Sequence, residues 1–331
     1  MSRAPELMRL INGYQVSQAL HVVAVLGIAD LLVGGPRHSD ALANASGAHA
    51  PTLYRIMRAL AASGIFHEDA DRVFSLTPLG EGLRSDAPMP LGPWAEHVGR
   101  EYTWQAWAHL VHGARTGQTP FEALHGSDSW DYRLTHPDDG AAFDRAMSAL
   151  TRDVTAGIVD AYDFSTFSRV VDVGGGHGTL LGGVLAANPG LSGVVFDQPH
   201  VVAGAAATLE RLGVAGRCTA EGGDFFARVP SGDLIMLKAI LHDWDDAEAV
   251  AILRSCRAAL APGGKVLVLE RVMAGPNEGA DIKYADLMMF VGVNGRERTE
   301  AEFAALFAAA GLRFVRTVPT RTRMYGIEAM A

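Results

Sequence analysis

The sequence predicts an α/β protein, with a doubly wound parallel sheet in the C-terminal half and a mostly helical N-terminal half. After Phe164, short apolar runs alternate with helical runs, which is typical of parallel strands joined by crossover helices. Before Phe164, apolar residues recur at helical spacing. At 170–179, Val-Val-Asp-Val-Gly-Gly-Gly-His-Gly-Thr passes from a buried strand through a glycine turn into a helix. The predicted strands are 170–173, 193–196, 219–222, 234–237 and 266–270.

Length and composition limit the class of protein. The 331 residues suffice for two domains, and 49% of them are hydrophobic, as in globular proteins. The net charge of −9 argues against a general nucleic-acid binder. Cys218 and Cys256 have no zinc or disulfide spacing, so we expect free thiols in a reducing compartment. The charged N-terminus does not resemble a signal peptide, and the apolar run 19–33 is too short to span a bilayer. We therefore expect a cytoplasmic protein with no membrane contact.

The N-terminal region has the order of elements found in a winged helix. Two helices of low charge are expected within 5–34, a short one follows that is capped at Ser39, and another runs over 50–60. The segments 65–68 and 73–76 then predict a hairpin.

Two functions compete for this winged-helix pattern. A DNA-binding helix should present several basic or amide groups, whereas the second helix presents Arg55 and Arg58. The turn of the hairpin carries Glu68, Asp69 and Asp71, which would repel phosphates. We therefore expect a dimerisation scaffold with the apolar N-terminal helices as its interface, and DNA binding stays the alternative.

Residues 94–153 predict further helices with many large side chains. Most of these side chains should belong to the core. A few of them could line a pocket that accepts an aromatic molecule.

The glycine loop and the next two strand ends predict a nucleoside site. From Gly174 or Gly176, the third position of a dinucleotide fingerprint is threonine or leucine rather than glycine, and no Gly-Lys-Ser/Thr of a P-loop follows. Asp197 ends the next strand, about 20 residues further on, where a carboxylate accepts the hydroxyls of a ribose. Asp224 and Phe225 follow the third strand and offer a carboxylate for an adenine amino group and a ring for stacking. Together, the loop and the two strand ends predict a site that binds a nucleoside and has no phosphate-binding loop.

His242 follows the fourth strand and is the candidate general base, because histidine is matched to proton removal near neutral pH. Glu270, at the end of the fifth strand, and Glu297 could orient it. The alternatives are a structural histidine beside a helix cap and glutamates that form ion pairs with neighbouring arginines. Those arginines are Arg271, Arg296 and Arg298.

Six motifs occur in order: Asp-Val-Gly-Gly-Gly-x-Gly, Phe-Asp-x-Pro, Gly-Asp-Phe-Phe, Leu-His-Asp-Trp-Asp-Asp, Pro-Gly-Gly-Lys and Gly-Arg-Glu-Arg-Thr. Over nearly its whole length the chain resembles the S-adenosylmethionine-dependent O-methyltransferases of the caffeate and acetylserotonin type, with their bacterial natural-product relatives. The resemblance implies a Rossmann-like class I methyltransferase domain preceded by a winged-helix dimerisation domain. It divides the chain into a dimerisation domain at 1–90, a helical linker and pocket segment at 91–160 and a catalytic domain at 161–331. Gln198 and Asn294 depart from the family pattern without touching a proposed role.

The resemblance also implies roles for individual residues. Gly174 and Gly176 would pass the methionine moiety of S-adenosylmethionine, and Lys238 would close over it. Asp243 would lie near the acceptor. The acceptor pocket would be lined by three methionines, namely Met147, Met288 and Met289. No metal is implied.

The expected activity is transfer of a methyl group to a phenolic hydroxyl of a small aromatic acceptor, with S-adenosyl-L-homocysteine as the second product. His242 would be the base, flanked by Glu270 and Glu297, in a homodimer formed through the N-terminal domain. The alternatives are a relative turned to decarboxylation or hydroxylation and a winged-helix DNA-binding regulator.

Overall fold

The computed structural model describes residues 3–331. Contacts divide the chain into two compact units. The helical unit comprises the chain up to Gln105 together with Arg133–Leu150, and the sheet unit comprises Ala106–Tyr132 together with Thr151–Ala331. Residues 91–160 are thus shared between the two units. The division of the chain into three domains stays a prediction.

The first half of the chain is mostly helical, as predicted. Its helices are α1 (Ala4–Ile11), α2 (Gly13–Val25), α3 (Ile28–Leu31), α4 (Ser39–Ser46), α5 (Ala50–Ala62), α6 (Gly92–Gly99), α7 (Glu101–Ala108), α8 (Leu110–Thr116), α9 (Pro120–His125), α10 (Ser129–Thr135) and α11 (Pro137–Ala161). α5 has a proline in its first turn, and Gly64 follows it with φ +80°, a conformation that favours glycine. α4 starts at Ser39, so its N-cap is His38 rather than the expected Ser39. Nδ1 of His38 accepts from the amide of Asp40.

The predicted hairpin is confirmed. β1 (Arg37–His38), β2 (Phe66–Glu68) and β3 (Val73–Leu76) form an antiparallel sheet in the order β1-β3-β2. Asp69 closes the turn because its Oδ1 accepts from the amides of Asp71 and Val73, at 3.0 and 3.1 Å. Helices α2 to α5 and this sheet enclose one apolar core. Its largest members are Ile28, Leu42, Leu53, Met57, Leu60, Phe66 and Phe74.

The sheet unit is a doubly wound sheet with one antiparallel edge. Its strands are β4 (Arg169–Val173), β5 (Ser192–Asp197), β6 (Cys218–Gly222), β7 (Gly232–Lys238), β8 (Leu260–Glu270), β9 (Arg313–Pro319) and β10 (Tyr325–Met330), in the order β6-β5-β4-β7-β8-β10-β9. The five predicted strands are confirmed as parallel neighbours. The prediction was incomplete at the edge, where β10 pairs antiparallel with β8 and with β9.

Helices cover both faces of this sheet. They are α12 (Thr179–Ala187), α13 (Pro199–Val202), α14 (Ala205–Arg211), α15 (Asp246–Ala259), α16 (Ala280–Val293) and α17 (Glu300–Ala309), with a short 3-10 helix at Leu241–Asp243. Two apolar clusters result, one on each face. Because the five strands are parallel, their carboxyl ends meet at one edge, where ligands bind in sheets of this kind. Between residues 3 and 331, no helix combines the length and hydropathy needed to cross a membrane.

Candidate active site

The glycine loop joins β4 to α12 and holds three left-handed glycines. Gly174, Gly176 and Gly178 have φ of +67°, +57° and +73°. A Cβ at Gly174 would lie 2.2 Å from Cδ1 of Ile240, whereas one at Gly176 would meet nothing within 4 Å. The left-handed φ of Gly174 favours glycine, and any Cβ there would also displace the side chain of Ile240. Gly176 leaves its backbone facing open space, as a ligand-binding loop needs.

Asp197 lies directly against this loop. Its Oδ2 accepts from the amide of Gly176 at 2.8 Å, and its Oδ1 accepts from the amide of Gln198 at 2.7 Å. The parallel register pairs Asp197 with Gly222, and the amide of Gly223 donates to the Asp197 carbonyl at 2.9 Å. The structure thus brings the first three predicted strand ends together.

Asp224 and Phe225 continue from that third strand end into an aromatic group. Asp224 is exposed, and its Oδ1 accepts from the amide of Phe226 at 2.8 Å. The half-buried ring of Phe225 meets Trp244 edge to face at 5.8 Å, and Trp130 stacks on Trp244 at 6.2 Å. Sequence reasoning missed Trp244, although it stands in the Leu-His-Asp-Trp motif. Carboxylates, an aromatic surface and an open glycine loop together fit a nucleoside.

Lys238 and Asp172 are charged groups at the ends of β7 and β4. Nζ of Lys238 donates to Oγ1 of Thr151 at 3.0 Å. Burial lowers the pKa of Lys238, against the raising effect of Glu270 and Asp172. Burial raises the pKa of Asp172 to about 7, although Lys238 opposes the shift. Oδ2 of Asp172 is buried without a hydrogen-bond partner among residues 3–331. An unsatisfied polar atom behind the glycine loop is a further sign of a polar ligand.

His242 lies on the 3-10 helix that follows β7, between two buried carboxylates. Its Nδ1 is 3.3 Å from Oε1 of Glu297 and 3.4 Å from Oε2 of Glu270. The side chain of His242 is 16% exposed, whereas those of Glu270 and Glu297 are 0% and 1% exposed. The three residues that sequence reasoning selected are therefore in contact, with only the histidine reaching solvent.

Hydrogen bonds to the main chain fix both glutamate segments: two amides donate to the Glu270 carboxylate, and a side chain holds the backbone of Glu297. Oε1 of Glu270 accepts from the amides of Ile240 and His242, at 3.0 and 3.4 Å. The amide of Glu297 donates to Oδ1 of Asp286 at 2.8 Å. Burial raises the pKa of Glu270 to about 7, although His242 opposes the shift. For His242, burial would lower the pKa, but Glu270 and Asp243 together with the hydrogen bond to Glu297 raise it to about 10.

The alternative ion pairs with arginine are not present, since all three arginines pair elsewhere. Arg271 lies 2.6 Å from Asp281. Arg296 pairs with Glu302 at 2.7 Å. Arg298 pairs with Asp246 at 2.8 Å. His242 also does not cap the following helix, because Asp245 does so in a capping box with Glu248.

The same three residues could also ligate a cation. One ligand atom from each of His242, Glu270 and Glu297 lies within 4.8 Å of the others. Two carboxylates and an imidazole are ordinary ligands of zinc. Metal removal therefore distinguishes a cation site from a cluster that moves a proton.

The predicted acceptor residues lie in two places. Oδ1 of Asp243 is 3.5 Å from Nε2 of His242, on the side away from the glutamates. Met288 and Met289 lie on α16, which packs against the 3-10 helix of His242 and against α9. Met147 belongs to the helical unit. Its role as an acceptor residue stays a prediction.

Gly295 is a further residue that sequence reasoning did not select. A Cβ there would lie 2.0 Å from the carbonyl oxygen of His242. The next amide, that of Arg296, donates to the same oxygen at 2.8 Å. Gly295 thus allows the Glu297 segment to approach the His242 turn. Its signal in the sequence was the glycine that opens Gly-Arg-Glu-Arg-Thr.

Family models match two parts of the chain. One described as an O-methyltransferase domain matches residues 107–313, and one described as an O-methyltransferase dimerisation domain matches residues 8–86. The phenazine O-methyltransferase PhzM of Lysobacter antibioticus is 42% identical over 98% of this chain and 95% of its own.

Solved structures agree with the family models. The crystal structure of LaPhzM has a TM-score of 0.96 and 41% identity, covering 100% of this chain and 99% of its own. An O-methyltransferase from neocarzinostatin biosynthesis, solved with S-adenosylmethionine and 2-hydroxy-5-methyl naphthoic acid, has a TM-score of 0.81 and 36% identity, covering 96% of each chain. Since the methyltransferase match alone spans more than half of the 331 residues, the chain belongs to the O-methyltransferase family.

Proposed function

We propose that this O-methyltransferase transfers a methyl group from S-adenosylmethionine to a phenolic hydroxyl of a small aromatic secondary metabolite, with His242 as the general base. The observation that carries the proposal is the contact of Nδ1 of His242 with two buried glutamates. This cluster lies at the same sheet edge as the glycine loop. A relative that acts on phenazines and one solved with a hydroxynaphthoic acid support an aromatic acceptor.

The donor site would be formed by the first three strand ends and Lys238. S-adenosylmethionine supplies an electrophilic methyl group on a positively charged sulfur. Gly174 and Gly176 would leave room for the methionine moiety, and Asp197 would accept from the ribose hydroxyls. The adenine would lie against Phe225, with its amino group toward Asp224. Lys238 would close the methionine end, and the carboxylates of Asp172 and Glu270 favour its charged form by raising its pKa.

His242 would take the acceptor proton at Nε2. Because Nδ1 faces Glu270 and Glu297, a proton held there leaves the lone pair of Nε2 directed toward the acceptor. A phenol has a pKa of about 10 and is a poor nucleophile at neutral pH until it loses its proton. The carboxylates raise the pKa of His242 to about 10, so proton transfer from a phenol to neutral His242 is nearly balanced in energy.

The acceptor would lie between Asp243 and two methionines of the sheet unit, Met288 and Met289. Thioether side chains are flexible and polarisable, and they pack well against aromatic rings of varied shape. Met288 and Met289 are half-buried on α16, next to the turn that carries His242. Met147, in the helical unit, stays a predicted acceptor residue. The carboxylate of Asp243, beside Nε2, would receive a hydrogen bond from the acceptor hydroxyl or from protonated His242.

We infer that the working form is a homodimer through the N-terminal domain. α1 buries none of its residues, although one face is apolar. Its exposed apolar side chains are Leu7, Met8, Leu10 and Ile11. A groove of about 520 Å³ in the helical unit includes Tyr14, His21 and Trp104. A second copy of the chain would cover these surfaces, and a monomeric mass in solution at micromolar concentration would contradict this.

The function is tested by methyl transfer itself. Purified protein is incubated with S-adenosylmethionine labelled on its methyl group and a panel of phenazinols, hydroxynaphthoates and simple phenols. We expect the label in a methyl ether on the acceptor and an equal amount of S-adenosyl-L-homocysteine. Decarboxylated or hydroxylated products without transferred label would contradict it.

A further inference from the structure

We propose that Arg298 is a positioning residue that holds the His242 turn and both glutamates in one alignment. The inference rests on the proposed function, because it assigns Arg298 a role in proton removal by His242. Arg298 touches neither the imidazole nor a carboxylate of Glu270 or Glu297, so it would act through them.

The side chain of Arg298 brackets the turn from inside the protein. Its guanidinium is 0% exposed. Nη1 donates to the carbonyl of Leu241 at 2.6 Å, and Nη2 donates to that of Trp244 at 2.8 Å. These carbonyls lie immediately before His242 and two residues after it. Fixing both ends of so short a segment fixes the direction of the imidazole between them.

The main chain of Arg298 joins the two glutamates. Arg298 follows Glu297 directly and forms a parallel bridge with Val272, two residues after Glu270. Its carbonyl accepts from the amide of Met273 at 2.9 Å. One residue therefore connects the three segments that carry the base and its carboxylates.

The hydrogen bonds at this position require the guanidinium of arginine, and the positive charge alone does not suffice. Nε and Nη2 both donate to Oδ1 of Asp246, at 3.0 and 2.8 Å, while Nη1 and Nη2 reach the two carbonyls. Only a planar guanidinium presents donors on several sides in one rigid group, and the ammonium of lysine cannot reproduce this arrangement. Asp246 is 60% exposed and balances the buried charge from its outer side.

The hydrogen bond from Arg298 to the Trp244 carbonyl also connects the base to the donor site. Trp244, whose carbonyl Arg298 holds, contacts Phe225 and Phe226 at ring distances of 5.8 and 4.9 Å. A slip of the turn would therefore move His242 and the aromatic surface proposed for adenine together. Loss of Arg298 should lower kcat and also raise KM for S-adenosylmethionine.

The test compares Arg298→Lys with Arg254→Lys, whose exposed side chain donates to the carbonyl of Ala309, away from the His242 turn. We expect kcat of R298K to fall roughly 10²-fold, the effect of a misplacement of about 1 Å, and kcat of R254K to stay within a few-fold of wild type. The acid limb of kcat/KM should move to lower pH in R298K, because His242 separates from its carboxylates. Millimolar guanidinium should partly restore kcat of Arg298→Ala and leave R298K unchanged.

A purely structural role gives a different pattern. In that case the fraction of active protein falls, while kcat per active site, KM and the pH profile match wild type, and the proposal is overturned. Should R298K fail to fold, Asp246→Ala removes the exposed carboxylate that orients the Arg298 guanidinium. This variant must show the same change in pH profile. If the wild type itself transfers no methyl group, the proposed function has failed; if it does and R298K equals it, only the role of Arg298 has failed.

Discussion

The donor half and the base half of the site are built in different ways. The donor half consists of strand ends that are neighbours in the sheet, and backbone amides join them: that of Gly176 donates to Oδ2 of Asp197, and that of Gly223 donates to the carbonyl of Asp197. The base half joins His242, Glu270 and Glu297, which lie far apart in the sequence and meet as buried side chains. Strand order thus assembles the first half, whereas burial and charge define the chemistry of the second.

The two halves should fail differently when they are altered. Changes in the donor half should weaken binding of S-adenosylmethionine. Changes in the base half should slow proton removal and alter its pH dependence. Three perturbations separate these effects.

The largest effect is expected from removal of the base. His242→Ala should lower kcat by about 10²- to 10⁴-fold, the range for loss of general-base catalysis. The KM for S-adenosylmethionine should change little. Single-turnover rates with labelled methyl donor measure the step directly. His67→Ala, at an exposed position of β2, is the control. A kcat of H242A within a few-fold of wild type would remove His242 from the mechanism.

A smaller effect, on binding, is expected from Asp197→Ala. Its carboxylate holds the glycine loop and is the proposed acceptor for the ribose hydroxyls. Hydrogen bonds to a charged group contribute about 1.5–3 kcal/mol, so KM should rise roughly 10- to 100-fold. Asp197→Asn keeps the shape and should be intermediate. Calorimetric titration with S-adenosyl-L-homocysteine checks this, and unchanged affinity in D197A would refute the assignment.

The smallest effect is expected from metal removal. Dialysis against EDTA should leave kcat unchanged, because His242, Glu270 and Glu297 act on a proton. Added zinc should inhibit, since it competes for the same three atoms. Loss of activity on chelation, restored by one divalent metal, would show that the cluster is a metal centre.

The sequence allowed much of the donor half to be predicted, and less of the base half. Asp197 beside the glycine loop follows from parallel strand order, so motif spacing was sufficient. β9 and β10 were missed because an antiparallel edge strand carries no glycine turn or crossover helix to mark it. Arg298 was considered as a partner of Glu297, but its burial under the His242 turn depends on tertiary packing. Spacing also does not determine which side chains meet Met147.

The role of His242 as a base beside Glu297 is tested most directly by the pH dependence of kcat/KM in wild type and Glu297→Gln with one acceptor. Neutral His242 is the active form, and its pKa in the protein is raised to about 10. Wild-type kcat/KM should therefore rise about tenfold per pH unit from pH ~7 toward that value. E297Q loses one of the contacts that raise the pKa of His242. The acid limb of its kcat/KM profile should therefore move to lower pH by roughly 1 unit or more.

The ionisation of the acceptor is common to both proteins, so their difference reports on His242. Glu300→Gln, a nearby exposed carboxylate, should keep the wild-type profile. We therefore expect the acid limb of the kcat/KM profile to move in E297Q alone. A flat wild-type profile between pH ~7 and ~10, or the same midpoint in E297Q and wild type, would contradict it.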